Sequence, residues 1–150
     1  HSFPTRRSSD LTMTKQYVLD ACALIAFLSN EEGADLVEGV LIEATQGNAE
    51  IRMNKLNLLE AYYGDYRAHG KEAADGMLDV VRSLPITIVP ELTDSVFGEA
   101  GRLKATYKMS LADAVVLAET SVCSGAVLTA DHHELDIVEK RENISFQWIR

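Results

Sequence analysis

Short apolar segments alternate with helical segments along almost the whole chain. Runs such as "YVLD", "ITIV" and "AVLT" are typical of strands that are buried on both faces. Between these runs, apolar residues recur at helical spacing, as in Leu36, Val37, Val40 and Leu41. The pattern predicts strands at about 17–20, 50–53, 86–89, 126–129 and 144–149. It predicts helices at about 21–28, 33–45, 55–69, 71–84, 94–108, 111–123 and 135–140.

Polar residues at the predicted helix ends support these boundaries. Asn54 and Ser110 precede apolar helices as N-caps, and either Thr93 or Asp94 caps the helix after the third strand. Gly70 ends the helix that begins after Asn54. Helices that alternate with short apolar strands predict an α/β domain whose mainly parallel sheet is covered on both faces. In such a sheet, a ligand site lies beyond the carboxyl ends of the strands.

The chain of 150 residues suits one domain with one core. Its first residues, "HSFPTRRSSDLT", are polar and aperiodic, so we predict that residues 1–12 are a disordered, non-native leader. We expect Met13 to be the native start and residues 13–150 to form a single domain. No apolar run approaches the roughly 18 residues that span a bilayer, so we expect a cytoplasmic protein without membrane contact.

The formal net charge of −9 argues against a protein that binds nucleic acid through bulk attraction to phosphates. It does not exclude a nuclease, because carboxylates gathered in one cleft can act on phosphates through bound cations. The acidity would also attract a basic protein partner. Both cysteines, Cys22 and Cys123, lie in apolar segments and predict no disulfide framework.

Four carboxylates occupy positions where a site would form. The strands in "YVLD" and "VLTAD" lead to Asp20 and Asp131, so parallel neighbouring strands would bring both residues to one end of the sheet. Glu60 interrupts the apolar stretch "LNLLEAYY", and Asp113 lies in the first turn of "SLADAVVLAET". A buried carboxylate is unfavourable unless it is paired or binds a metal. Oxygen ligands without Cys or His favour Mg²⁺ or Mn²⁺ over zinc.

Each of these four residues also has an ordinary structural explanation. Asp20 could simply cap the following helix, and Asp131 could cap a turn. Asp113 suits the positive end of a helix dipole, and Glu60 could be a solvated helix position. The joint placement of the four residues, rather than any one of them, therefore favours a site.

The adjacent histidines of "VLTADHHELD" are poor candidates for metal ligands. Neighbouring side chains point in different directions on a strand and about 100° apart on a helix, so His132 and His133 would not chelate one ion together. The segment also lacks the H-E-x-x-H zinc signature. We expect it to form a rim turn and the start of a short helix, with Asp131 and Thr129 as its contribution to the site.

In order and spacing, these segments resemble a PIN domain, and most closely the VapC-type toxins of bacterial toxin–antitoxin pairs. The resemblance runs from about Tyr17 to Arg150 and is carried by "YVLDACALIAFL", "MNKLNLLEAYY", "MSLADAVVLAET", "VLTADHHELD" and "ISFQWIR". It implies a doubly wound α/β/α fold and an endoribonuclease that uses Mg²⁺, with Mn²⁺ as the alternative, to hydrolyse RNA. It also implies a homodimer and a small cognate antitoxin whose tail lies over the active site.

The resemblance implies catalytic and metal-binding roles for the acidic residues Asp20, Glu60, Asp113 and Asp131, with Asp20 and Asp113 as the main ligands. Thr129 matches a hydroxyl position that supports the site. One position departs from the family, which usually has Ser, Thr or Asn two places after the first Asp, where this chain has Cys22. A thiol is a weak hydrogen bonder, so we expect poorer support for Asp20.

Several residues outside the acidic set could contact RNA. Tyr62 and Tyr63 could stack a base, although the place of Tyr63 on an apolar stripe with Leu56, Leu59 and Tyr66 favours core packing or a subunit interface. Trp148 is predicted to belong to the core. A basic rim beside the cleft could be formed by Arg52, Lys55, Arg67, Lys104 and Lys108, although scattered solvated charges are the simpler interpretation.

Two other functions are compatible with parts of the pattern. A phospho-accepting receiver domain is also a doubly wound fold with acids at strand ends, and "LTAD" resembles its Thr-Ala element. However, the strand "ITIV" ends at Pro90 instead of an acceptor aspartate. A non-catalytic PIN scaffold is the second alternative, which Cys22 favours and the intact acidic set opposes.

Overall fold

The computed structural model describes residues 14–150, so the predicted leader at 1–12 and the predicted start at residue 13 lie outside the described residues. The strands of the described part are β1 (Lys15–Leu19), β2 (Ala49–Asn54), β3 (Thr87–Val89), β4 (Ala126–Thr129) and β5 (Ser145–Trp148). Its helices are α1 (Ala21–Leu28), α2 (Ala34–Thr45), α3 (Lys55–His69), α4 (Lys71–Ser83), α5 (Asp94–Thr106), α6 (Leu111–Cys123) and α7 (His132–Arg141).

The five strands form one sheet in the order β3-β2-β1-β4-β5, and all neighbouring pairs are parallel. Strand β1 lies at the centre, with Tyr17 paired to Ile51 of β2 on one side and to Ala126 of β4 on the other. The chain winds outward from β1 in both directions, so the carboxyl ends of β1 and β4 flank the switch point of the topology. The predicted α/β class is therefore confirmed.

Helices cover both faces of the sheet and enclose two apolar clusters. Successive side chains of a strand point to opposite faces, and in β1 Leu19 joins the cluster under α1 and α2 whereas Val18 joins the cluster under α5, α6 and α7. Leu24 and Met53 are fully buried in the first cluster, and Leu117 is fully buried in the second. This arrangement is the α/β/α sandwich that the PIN resemblance implied.

The predicted N-caps fix the starts of three helices. The Asn54 side chain accepts a hydrogen bond from the Leu56 amide, and the Ser110 hydroxyl accepts one from the Asp113 amide. The cap of α5 is Thr93 and not Asp94, because the Thr93 hydroxyl accepts from the Val96 amide. No helix in residues 14–150 is both long and apolar enough to cross a membrane.

The last predicted helix begins earlier than expected. Helix α7 starts at His132 instead of residue 135, because the Asp131 side chain caps it by accepting from the Glu134 amide at 3.4 Å. The polar first turn, "HHE", hides the helical periodicity in the sequence. Helix α5 ends at Thr106, two residues before the predicted end.

Candidate active site

A cleft of about 630 Å³ opens beyond the carboxyl ends of β1 and β4. It brings together all four carboxylates that the sequence singled out. Its lining consists of Asp20, Ala21, Cys22, Ile25, Glu60, Tyr63, Gly64, Ser110, Asp113, Ala130, Asp131, Glu134 and Arg150. Four separate elements therefore supply the acidic side chains to one cleft.

Asp20 is the most deeply placed of these carboxylates. It directly follows β1 and caps α1 by accepting a hydrogen bond from the Ala23 amide at 2.9 Å. Only 5% of the residue is exposed, and this burial raises the pKa of its carboxyl above the ordinary value, against the lowering effect of hydrogen bonds from Thr129, Cys22 and Ala23. Asp20 is thus both a helix cap and a cleft residue.

Cys22 lies directly beside Asp20. Its Sγ donates to Oδ1 of Asp20 at 3.0 Å, accepts from the Ala130 amide at 3.4 Å and lies 3.7 Å from Oγ1 of Thr129. Burial first, and the charge of Asp20 second, raise the pKa of the Cys22 thiol to about 12. The thiol is therefore protonated at neutral pH and acts as a hydrogen-bond donor to Asp20.

Thr129 connects the end of β4 to the next acidic residue. Its hydroxyl is fully buried and accepts a hydrogen bond from the Asp131 amide at 3.1 Å. This contact fixes the backbone just before α7. Asp131 lines the cleft and also caps α7.

Glu60 and Asp113 enter the cleft from two different helices. Glu60 lies on α3, and burial, followed by the charges of Asp20 and Asp131, raises the pKa of its carboxyl. Asp113 lies in the first turn of α6. Burial and then the charge of Asp131 raise its pKa to about 6, although a hydrogen bond with Ser110 opposes the rise. Both carboxyls therefore bind protons more tightly than free side chains do.

The mutual effect of these charges fits a divalent cation. Carboxylates that raise one another's pKa values repel each other, and a bound cation removes the repulsion. The oxygen donors suit Mg²⁺ or Mn²⁺. Within residues 14–150, no three Asp, Glu, His or Cys side chains already stand together as a metal-ligand cluster, so the carboxylates share the cleft at larger separations.

Two charged residues of the cleft were not predicted from the sequence. Glu134 lies in the first turn of α7, and the D-x-x-E spacing from Asp131, which is that of a capping box, was an available signal. Arg150 lies at the opposite end of the chain in sequence. Its Nη1 donates to the carbonyl oxygen of Glu32 at 2.7 Å and lies 3.6 Å from the Glu31 carboxylate. No local sequence pattern places Arg150 there.

The structure does not bring the possible basic rim into the lining of the cleft. Of the described residues that line the cleft, Arg150 is the only base, so none of the five candidates lies in it. The Arg52 side chain donates to Gln16 at 3.5 Å, on the sheet. The guanidinium of Arg67 lies 5.4 Å from the ring centroid of Tyr63, which lines the cleft.

Core packing of Tyr63, one of the two roles that its stripe favoured, is wrong, whereas the other role, a subunit interface, stays a prediction. The ring lines the cleft and 46% of the residue is exposed, because α3 turns this part of its stripe away from the sheet. The Tyr62 hydroxyl instead donates to Asp75 of α4 at 2.8 Å. Trp148 is only partly buried, packs at the edge of the second cluster and stacks on His132 with ring centroids 3.7 Å apart.

Neither histidine lines the cleft. His132 Nδ1 lies 2.8 Å from the Asp136 carboxylate, and Nε2 donates to the carbonyl oxygen of Arg150 at 2.9 Å. The hydrogen bond with Asp136 and then that with Arg150 raise the pKa of this imidazole. His132 therefore joins the start of α7 to the end of the described chain, as a rim residue.

The sequence profile of the PIN domain family matches residues 17–140. The chain belongs to the PIN domain family. This PIN domain has no match among curated protein sequences. Its membership and its sheet order argue against a receiver domain, because receivers have the strand order 2-1-3-4-5 and this sheet has 3-2-1-4-5.

Solved structures share the fold of this PIN domain. A chain of the VapBC2 complex of Rickettsia felis, bound to promoter DNA, matches with a TM-score of 0.69 at 15% identity over 89% of this chain and 98% of that chain. The VapBC-1 complex of nontypeable Haemophilus influenzae gives 0.67 at 14% identity, with coverage of 89% and 98%. VapC20 of Mycobacterium tuberculosis, described as a sarcin–ricin loop cleaving toxin, gives 0.51 at 14% identity, with coverage of 74% and 86%. At these identities the likeness establishes the fold.

Proposed function

We propose that this PIN domain is a metal-dependent endoribonuclease that hydrolyses RNA phosphodiester bonds, and that it is the toxin of a toxin–antitoxin pair. The observation that carries the proposal is the meeting of four carboxylates in one cleft, where burial raises the pKa of three of them, Asp20, Glu60 and Asp113, and neighbouring charges add to the rise. Solved neighbours described as toxins or VapBC complexes support the same class of function.

The cation would be held mainly by Asp20 and Asp113, with Glu60 and Asp131 completing the shell or orienting water. A bound divalent cation lowers the pKa of a water molecule and stabilises the charge that develops on a phosphate. The protein's own contribution is to orient these carboxylates. The Ala23 amide and the Cys22 thiol hold Asp20.

The other carboxylates are fixed through their backbones. The Ser110 hydroxyl accepts from the Asp113 amide and sets the first turn of α6, and the Thr129 hydroxyl does the same for Asp131 before α7. Because each of the four acidic residues lies in a helix or caps one, the carboxylates are presented on rigid supports.

An acidic cleft beside an apolar groove supports an antitoxin partner. The groove, of about 490 Å³, runs between α1, α3 and α4 and shares Ile25 and Gly64 with the cleft. We infer that an apolar segment of the antitoxin lies on Leu28, Met77 and Val80 and that a basic tail reaches the carboxylates. The pair would act in the cytoplasm.

Exposed apolar side chains support a homodimer. Leu59 on α3, Phe97 on α5 and Leu111 on α6 are large and at least half exposed, which is typical of surfaces that bind another protein. A monomeric wild-type protein in sedimentation experiments would contradict this part of the proposal.

The decisive test of function is cleavage of a panel of structured RNAs by the isolated chain in Mg²⁺, repeated in Mn²⁺ and in EDTA. We expect internal cleavage in either metal and none in EDTA. Absence of cleavage by a folded, Mg²⁺-binding protein would instead favour the non-catalytic scaffold, which the unusual Cys22 keeps as the second candidate.

A further inference from the structure

Tyr63 presents an aromatic ring to the cleft one helical turn after Glu60. Residues three apart on a helix lie on the same side, so the ring and the carboxylate face the same cleft. Nearly half of Tyr63 is exposed, which leaves the ring open to a ligand that enters beside the acidic residues.

Arg67 covers part of this ring from the next turn of α3. Its guanidinium lies 5.4 Å from the ring centroid, a distance at which a cation–π contact forms. Within residues 14–150, no carboxylate forms an ion pair with Arg67, so its charge is available to a ligand. The pair therefore combines an open aromatic surface with an unneutralised cation.

An acidic cleft repels a polyanion such as RNA, so it needs an attraction that does not depend on its own charge. The cleft contains five carboxylates, and Arg150 is already engaged with Glu31 and Glu32, so the lining offers phosphates little attraction. A nucleobase is uncharged and has an apolar face that stacks on tyrosine or on guanidinium whatever its sequence. Stacking would thus retain RNA where bulk charge repels it.

We propose that Tyr63 and Arg67 form a nucleobase platform that stacks a base of single-stranded substrate RNA next to the carboxylates. The inference rests on the proposed function and names how its substrate is held. Tyr63 supplies the stacking surface, and Arg67 holds the ring and offers a positive charge to the neighbouring phosphate.

Binding is measured in the Asp113→Asn background in Mg²⁺, so that the RNA is not cut. The probes are a fluorescein-labelled single-stranded RNA of about twelve nucleotides and an oligomer with the same ribose–phosphate backbone but no bases. We expect Tyr63→Ala to weaken binding of the base-bearing RNA by about 5- to 100-fold and to leave the baseless oligomer unchanged. Tyr63→Phe, which keeps the ring, should restore the affinity.

Tyr66 provides the matched control. It lies three residues further along the same stripe and is equally exposed, at 45%, but lines neither the cleft nor the groove. Tyr66→Ala should leave RNA affinity unchanged. Arg67→Gln should weaken binding and reduce the slope of log Kd against log salt by about 0.7, the value of one phosphate contact on a single strand.

The outcomes separate the platform from its alternatives. In the wild-type background, Tyr63→Ala should raise KM for RNA cleavage with little change in kcat. An unchanged affinity and an unchanged KM would overturn the platform while leaving the nuclease intact. Equal losses for Tyr63→Ala and Tyr66→Ala, accompanied by altered sedimentation, would assign the stripe to a protein interface and overturn the platform. Absence of both RNA binding and cleavage would overturn the platform and the proposed function together.

Discussion

Asn57 on α3 donates a hydrogen bond from its side-chain Nδ2 to the carbonyl oxygen of Ala112 on α6, at 2.9 Å. The bond joins the two helices that carry Glu60 and Asp113, since Glu60 lies one turn after Asn57 and Asp113 follows Ala112. Asn57 is almost completely buried, and its Oδ1 has no hydrogen-bond partner among the described residues. A buried amide oxygen without a hydrogen bond is energetically unfavourable. The position of Asn57 between the two helices therefore favours a role in setting the distance between the carboxylates of Glu60 and Asp113.

Replacement of this amide should therefore impair both stability and metal binding. We expect Asn57→Ala to lower the free energy of unfolding by about 1–3 kcal/mol and to raise the Mg²⁺ concentration that half-saturates thermal stabilisation. Val81→Ala, at a buried position of α4 that does not line the cleft, is the control for lost stability. Equal Mg²⁺ requirements for the two variants would show that Asn57 is merely structural.

The raised pKa of Asp113 predicts a pH dependence of the metal-free protein. Its pKa rises from 3.8 to about 6, so the folded state binds this proton more tightly than the unfolded chain. The resulting stabilisation is complete below about pH 4 and is lost as the pH rises through about 6.

The Asp113→Asn variant cannot titrate at this position and isolates the effect. In EDTA at about pH 8 it should melt at a higher temperature than wild type, because one of the repelling charges is gone. As the pH falls to about 5, Asp113 of the wild type becomes protonated, so the melting temperature of the wild type should rise towards that of the variant. The measurement is the difference in Tm across this range, and a difference independent of pH would refute the assignment.

Replacement of Cys22 by serine is expected to increase activity. A hydroxyl donates a stronger hydrogen bond to a carboxylate than a thiol does, so Cys22→Ser should hold Asp20 more firmly. We expect Mg²⁺-dependent RNA cleavage to increase by about fivefold, corresponding to about 1 kcal/mol. Cys22→Ala, which removes the donor, should lower the rate. A serine variant no faster than the alanine variant would show that this contact does not support Asp20.

Gly33 predicts a severe effect on stability. Its φ is +96°, and a Cβ at this position would lie 2.7 Å from the carbonyl oxygen of Ile149. Gly33→Ala should therefore destabilise the fold by about 1–3 kcal/mol. Gly39 lies inside α2, the helix that follows Gly33, and a Cβ there would meet no atom within 4 Å, so Gly39→Ala should stabilise the fold by up to about 1 kcal/mol. The measurement is the midpoint of chemical denaturation. A lower midpoint for Gly33→Ala and a higher one for Gly39→Ala would confirm the prediction, and equal shifts of the two midpoints would contradict it.

The sequence predicted the acidic residues because each one breaks a local pattern. Asp20 and Asp131 follow apolar strands, and Glu60 and Asp113 interrupt apolar helical segments. The parallel sheet and its helices then bring these four residues together at one edge of the sheet. Arg150 could not be predicted in this way, because its contacts with the loop after α1 depend on tertiary packing alone.

Periodicity also misled the interpretation of α3. It correctly identified a stripe that includes Leu59, Tyr63 and Tyr66, but a stripe does not reveal what it faces. Only the position of α3 beside the cleft shows that these side chains remain exposed. The start of α7 was missed for a related reason, since its first turn is polar throughout.

Cleavage of a structured RNA panel in Mg²⁺ by wild type, Asp113→Asn and Asp79→Asn is the most direct test that the cleft is a metal-dependent ribonuclease site. Asp79 is a surface aspartate of α4 that pairs with Arg82 and lies outside the cleft, so its variant controls for the loss of one charge. We predict internal cleavage by wild type and Asp79→Asn, abolished by EDTA, and none by a folded Asp113→Asn. Undiminished cleavage by Asp113→Asn, or cleavage that persists in EDTA, would contradict the assignment.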